Sequence, residues 1–151
     1  MSEAFRLRRY READEDAAIE LWRRTWQLAY PDIDFTARVQ WWRERWRNEL
    51  VPAATVVVAE DGATLAGFVT IDDKGYLDQI VVAPEAWGSP LAKMLLDEAK
   101  RLSPSGVSLL VNLDNFRAIK FYEKNAFVAV GEDVNPTSKR KVLRMVWRPS
   151  P

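Results

Sequence analysis

The chain has no cysteine and no histidine. Without Cys there is no disulfide, no thiolate metal site and no thiol nucleophile. Without His, serine-hydrolase triads, imidazole bases and His-ligated metals are excluded as well. Acid–base chemistry falls to Asp, Glu, Tyr, Lys or water, and no metal is expected. Net charge is also missing, since 22 Lys+Arg balance 22 Asp+Glu. No overall field draws the chain to nucleic acid or to an anionic membrane. No apolar run approaches the ~18 residues of a membrane span, and the start MSEAFRLRRYREADEDAA lacks an apolar h-region. The expectation is a cytoplasmic protein.

What is present fits one domain over residues 1–151, with 48% hydrophobic and 29% charged residues. FRLRRY alternates apolar and basic and predicts a first strand. Asp14 is placed to cap a helix to about Ala29, with Ala18, Leu21, Trp22, Trp26 and Ala29 as its stripe. After YPDID, the spacing of Phe35, Val39, Trp42, Trp46 and Leu50 predicts a second helix, closed by Pro52. ATVVVAEDGATLAGFVTI predicts a hairpin about Glu60-Asp61-Gly62. GYLDQIVVAP predicts a buried central strand, and a helix runs from about Pro90 to Leu102. VSLLVNL, a short helix from Asn115 to Lys124, and two closing strands, FVAVGED and VLRMVW, complete the chain. The order β-α-α-β-β-β-α-β-α-β-β predicts an α/β fold: a mixed, mostly antiparallel sheet of about seven strands flanked by four helices.

Three pieces stand in sequence: YLDQIVVAP, the loop and helix WGSPLAKMLL, and NLDNFRAIKFYEKNAF. In this arrangement the chain resembles the GNAT (GCN5-related) N-acetyltransferase family. That family has a central strand ending in V-x-P, a Q/R-x-x-G-x-G/A loop opening a helix, and a later N-x-x-A-x-x-x-Y-x-x-x-G-F helix. Here the second motif falls on Asn115, Ala118, Tyr122, Ala126 and Phe127, with Asn125 placed to take the left-handed turn of the missing glycine. The resemblance implies acetyl-CoA as co-substrate. Its pyrophosphate would sit at the helix N-terminus over Trp87, Gly88, Ser89, Pro90, Leu91, Ala92 and Lys93, where free N–H groups gather. Its pantetheine arm would pair with the strand at Ile80, Val81 and Val82, and Asn115 and Ala118 would contact it. Two positions depart from the pattern. Trp87 replaces Gln or Arg, and Pro90 replaces Gly and removes one N–H donor. Ser89 and Pro90 are equally well explained as a capped helix start.

The resemblance gives Tyr122 the role of general acid for the departing CoA thiolate. A phenol of pKa ~10 donates to a thiolate whose acid has pKa ~8.5 with modest help from the site. Asp78, taken to share a strand face with Tyr76 and Ile80, is the candidate base or amine anchor, because an Asp in so apolar a strand is costly without a task. Tyr30 and Trp41 lie off the helical stripes and, with Tyr76 and Asp78, are the candidate walls of an acceptor site. The expected activity is transfer of an acetyl group to an amine, on a small molecule or a peptide, by direct attack. A non-catalytic acyl-CoA-binding domain with a degenerate loop is the alternative. The family resemblance also allows a homodimer.

Overall fold

The computed structural model describes residues 5–136 and 138–149. Seven strands form two sheets. The first has the order β1 (Arg6–Arg9), β2 (Ala54–Asp61), β3 (Thr64–Asp72) and β4 (Leu77–Val82), all antiparallel. The second has the order β5 (Val107–Asn112), β7 (Lys141–Trp147) and β6 (Val128–Val134). A parallel bridge from Tyr76 to Ser108 joins them. Helices α1 (Glu15–Ala29), α2 (Val39–Arg45), α3 (Leu91–Leu102) and α4 (Phe116–Lys124) appear in the expected order, and the element order matches the sequence prediction. Among the described residues no helix is long and apolar enough to cross a membrane.

Period-two alternation along β2 and β3 divides the core in two. Val56, Val58 and Phe68 face α1 and α2, whereas Val57, Ala59 and Val69 face α3. The first side is aromatic. Trp42 and Trp46 are almost fully buried; Trp42 stacks on Trp22 at 4.6 Å, and Trp46 meets Phe68 edge-on at 5.1 Å. Such pairs each add about 0.5–1.5 kcal/mol beyond area burial. On the other side Leu91, Leu95, Leu96 and Ala99 of α3 are buried against the sheet.

Three local expectations change. The second helix starts at Val39 after a short 3-10 turn, Trp46–Leu50 form one π turn, and Val51–Ala53 carry it through Pro52 to end at Ala53. Asp14 stands at the cap position but does not cap α1. Its carboxylate accepts two bonds from Arg8 at 2.8 Å and one from the Arg11 N–H. The left-handed residue after α4 is Ala126 at φ 72°, not Asn125; Asn125 instead donates its Nδ2 to the Phe121 carbonyl.

Gly75 stands where the two sheets meet. Its φ is +83°, and a Cβ there would lie 2.5 Å from the Gly106 carbonyl oxygen. The Gly75 carbonyl accepts from the Ser108 N–H at 2.8 Å, so backbone must approach backbone at this point. Gly75→Ala is expected to lower the unfolding free energy by about 2–3 kcal/mol in urea titration. Gly62→Ala, with φ +65° but nothing within 4 Å, is expected to cost only about 1 kcal/mol.

Candidate active site

β4 and β5 run parallel from the Tyr76–Ser108 bridge and then diverge. On its other side β4 stays paired with β3 through Val82. The Ala83 N–H donates to the Ala66 carbonyl at 2.7 Å. By the alternation of an antiparallel ladder, Val81 therefore also turns its backbone groups to β3. Ile80 and Val82 turn theirs toward the diverging β5. The open edge is thus Ile80 and Val82, and Val81 is a buried ladder residue.

The ladder slips between Val69 and Ile71, leaving Asp78 and Gln79 opposite Thr70. The Gln79 N–H bonds the buried Thr70 Oγ1 at 3.1 Å. This bulge breaks the face alternation expected from sequence. Leu77 and Ile80 both pack on the α3 side, whereas Asp78 meets α2. Asp78 and Ile80 therefore do not share a face. Both Asp78 oxygens are engaged: the Arg45 guanidinium donates to them at 2.7 and 3.2 Å, and Gln79 Nε2 donates to Oδ1.

The loop after β4 places Gly88 at φ +83° and starts α3 at Leu91, with Pro90 in the capping position rather than inside the helix. Part of the expected donor set is used internally. The Trp87 and Ser89 N–H groups donate to Pro84 and Ala86, and the Leu91 N–H to Ser89 Oγ. The N–H groups of Gly88, Ala92 and Lys93 have no acceptor among the described bonds and meet the positive end of the α3 dipole. Trp87 is 43% exposed. Its indole Nε1 donates to the Val82 carbonyl at 2.8 Å, partnering one of the open-edge groups of β4.

α4 closes the cleft from the β5 side. The Asn115 side chain caps it by accepting from the Ala118 N–H at 3.2 Å. Tyr122 lies on the inward face, buried between Phe121 and Phe127. Burial pushes its hydroxyl pKa well above the ordinary phenol value.

On the α2 side of β4 a cavity of about 180 Å³ is lined by Arg45, Glu49, Thr70, Asp72, Tyr76 and Asp78, among others. Three carboxylates face one guanidinium there, so the cavity favours a cation. Burial, then the charge of Asp78, raise the Tyr76 hydroxyl pKa. Tyr30 lies apart from this cavity and ties α1 to the second sheet. Its hydroxyl accepts from Asn112 Nδ2 at 2.8 Å, and Arg140, paired with Asp114 at 2.8 Å, covers its ring at 4.8 Å. Trp41 is 44% exposed, leans on Trp42 and does not line the cavity.

Sequence reasoning missed Arg45, Asn112, Asp114 and Arg140. Arg45 was findable: it stands three residues after Trp42 on a helix whose stripe was already drawn. The others come together only through the tertiary fold.

Comparison with known proteins bears on the family and the fold. The acetyltransferase (GNAT) family matches residues 15–127. A curated relative, the peptidyl-lysine N-acetyltransferase YjaB of Salmonella typhimurium, is 28% identical over 126 residues, covering 83% of this chain and 84% of the relative. In fold the chain is similar to the apo form of YjaB from Escherichia coli. There the TM-score is 0.79 at 19% identity, over 98% of this chain and 100% of that one. It is also similar to the PaiA N-acetyltransferase from Thermoplasma acidophilum in complex with coenzyme A, with TM-score 0.78 at 20% identity over 97% and 100%.

Tyr30→Phe removes the acceptor of Asn112 while keeping the ring under Arg140. It is expected to cost about 1 kcal/mol of stability by urea titration, the usual size of one such bond. Tyr30→Ala, which also loses the stacking on Trp26, is expected to cost about 2 kcal/mol or more.

Proposed function

The chain belongs to the acetyltransferase (GNAT) family, and from that premise we propose that it moves an acetyl group from acetyl-CoA to an amine by direct attack in the β4–β5 cleft. The observation that carries this reading is the half-paired β4: the backbone groups of Ile80 and the N–H of Val82 face an open space beside a helix N-terminus, while Trp87 holds the Val82 carbonyl. An amide-rich pantetheine arm completes such an edge as an added strand does. The Ile80 N–H is then placed to bond the thioester oxygen as charge builds on it. The pyrophosphate takes the N–H groups of Gly88, Ala92 and Lys93. Asn115 holds the start of α4, and Ala118 leaves room beside the arm.

The acceptor enters from the α2 side. Glu49, Asp72 and Asp78 draw a cationic amine into the cavity, where Tyr76 forms part of the wall. Asp78 anchors the amine; with both oxygens engaged by Arg45 it is badly placed to take a proton, so the ammonium proton leaves to water. The free amine attacks the thioester carbon, the C–S bond breaks, and Tyr122 gives its proton to the CoA sulfur. Solvent returns a proton to Tyr122, and the new amide nitrogen loses its extra proton. Holding both reactants in near-attack geometry supplies much of the rate. A lysine side chain in a peptide is the first acceptor to test, because it joins an ammonium to a long apolar stem and the Salmonella relative is named for that substrate.

Calorimetric titration with acetyl-CoA, then with peptide amines, tests the reading; absence of acetyl-CoA binding at millimolar concentration sinks it. Tyr122→Phe is expected to lower kcat about 100-fold and leave the acetyl-CoA Kd within about 3-fold. An unchanged kcat removes Tyr122 from the chemistry.

The pH profile follows from the raised hydroxyl pKa of Tyr122. Its neutral form, the one that donates, persists as pH rises past ~10. The kcat/KM is therefore expected to climb with pH as the amine loses its proton, with no alkaline fall below about pH 10. A fall near pH ~8 that disappears in Tyr122→Phe contradicts the assignment.

A further inference from the structure

The pyrophosphate loop departs from its family pattern by losing a cation at Trp87. Nearby cations on the same lip are committed. Arg24 pairs with Glu85 at 2.7 Å and Lys93 with Asp97 at 2.8 Å. Coenzyme A carries a pyrophosphate and a ribose 3′-phosphate, and three backbone N–H groups do not neutralise both.

Across the cleft, on the β5 lip, the Arg117 guanidinium lies 5.7 Å from the centre of the Trp87 ring. Arg117 is exposed, in the first turn of α4. Lys120 and Lys124 follow at three and seven residues, on the same outward face. Asn115, Ala118 and Tyr122 occupy the inward face. Among the described residues none of these three cations has a carboxylate partner. By contrast Arg8, Arg23, Arg24, Arg43, Arg45, Arg47, Arg101, Arg140 and Arg144 are ion-paired. An unpaired stripe beginning at the cleft mouth is the chain's free positive surface nearest to where a nucleotide tail would emerge.

We infer that Arg117, backed by Lys120, binds the ribose 3′-phosphate of coenzyme A, replacing from the opposite lip the cation that the loop lacks. The inference rests on the acetyl-CoA reading. The pyrophosphate is served by Gly88, Ala92 and Lys93 on the β4 lip, so the remaining anionic group is the one left for the β5 lip. Trp87 holds the guanidinium over its ring, which limits the ordering cost of recruiting it. Arg117 is a specificity residue here: it distinguishes CoA from its 3′-dephospho form and takes no part in the chemistry.

The test is equilibrium binding of CoA and of 3′-dephospho-CoA to the wild-type chain, Arg117→Ala and Arg117→Lys. The wild type is expected to prefer CoA by about 10-fold, the scale of one charge-assisted phosphate contact. Arg117→Ala is expected to reduce that preference to about 2-fold or less while binding dephospho-CoA as before, and Arg117→Lys to keep most of it. The CoA preference of the wild type is expected to shrink with added salt, and that of Arg117→Ala to be nearly flat. Equal weakening of both ligands overturns the inference, because Arg117 then serves the pyrophosphate. Unchanged binding of both overturns it too, leaving a surface contact with Trp87. A wild type that binds both ligands equally well also refutes it, with the acetyl-CoA reading intact. A wild type that binds neither ligand overturns the acetyl-CoA reading and this inference with it. Arg117 is exposed, so the variants are expected to melt with the wild type.

Discussion

Every feature of the cleft follows from one strand that has two neighbours at its start and one at its end. Backbone N–H and C=O groups need partners, and leaving them unpaired in a partly buried place is costly. At Gly75 and Tyr76 the need is met by β5. From Ile80 onward β5 has turned away, and the edge groups of β4 face a gap. The indole of Trp87 reaches back to the Val82 carbonyl across that gap. A side chain partnering a strand edge in this way shows the same demand that an amide-bearing ligand would meet. The bulge at Asp78 and Gln79 belongs to the same arrangement. It turns Asp78 toward α2 and the carboxylate-lined cavity just before the edge opens at Ile80, two residues on.

The lips of the cleft are held by contacts of unequal strength. Buried rings and aliphatic side chains hold the base: Trp42, Trp46 and Phe68 pack on the α1–α2 face of the first sheet, and on its other face one cluster runs from Val57 and Val69 through Leu95 to Leu109, Phe127 and Met145 of the second half. At the mouth of the cleft, by contrast, the described ties are polar and surface-borne. Tyr30 meets Asn112, with Arg140 on its ring, and Trp87 meets Arg117. An exposed cation–π contact is worth about 0.5–1 kcal/mol, far less than a buried aromatic cluster. The two sheets therefore share one apolar base packed around α3 and are held across the mouth by weak ties. Such a division lets ligands enter without disturbing either core.

The sequence made some of this legible because periodicity reports which face of an element is buried. The element order, the aromatic stripe from Phe35 to Leu50 and the inward face of α4 all rest on such spacing. The cleft itself was legible only through the N-x-x-A-x-x-x-Y motif and the loop before α3. What spacing cannot report is a break in spacing. The bulge in β4 moved Asp78 to the face opposite Ile80, although strict alternation put them together. The same limit applies to Asp14, whose carboxylate found Arg8 instead of the helix it precedes. Ala126 is a third case: its left-handed backbone is imposed by the tight return to β6, and residue preference favours Asn125. Arg140 was invisible because an arginine is ordinary on a surface, and its partners Asp114 and Tyr30 are distant in sequence.

A net charge of zero describes the sum and conceals the distribution. In this chain most guanidinium groups are matched to carboxylates within hydrogen-bond distance, and matched pairs at a surface present little field beyond a Debye length. Local excess is what a ligand meets. There are two such places along the cleft, of opposite sign and on different elements. Carboxylates outnumber guanidinium groups in the cavity beside β4, and unpaired cations run along the outer face of α4. An anionic nucleotide and a cationic amine would be drawn to different faces, which keeps each from occupying the other's place. Balanced composition is compatible with this separation because every charge in one patch is offset by charge elsewhere in the fold. The neutrality that argued against nucleic acid as a partner therefore carries no weight against a small polyanion. The relevant quantity is how many cations near the mouth lack a partner, and Arg117, Lys120 and Lys124 supply three on the outer face of α4.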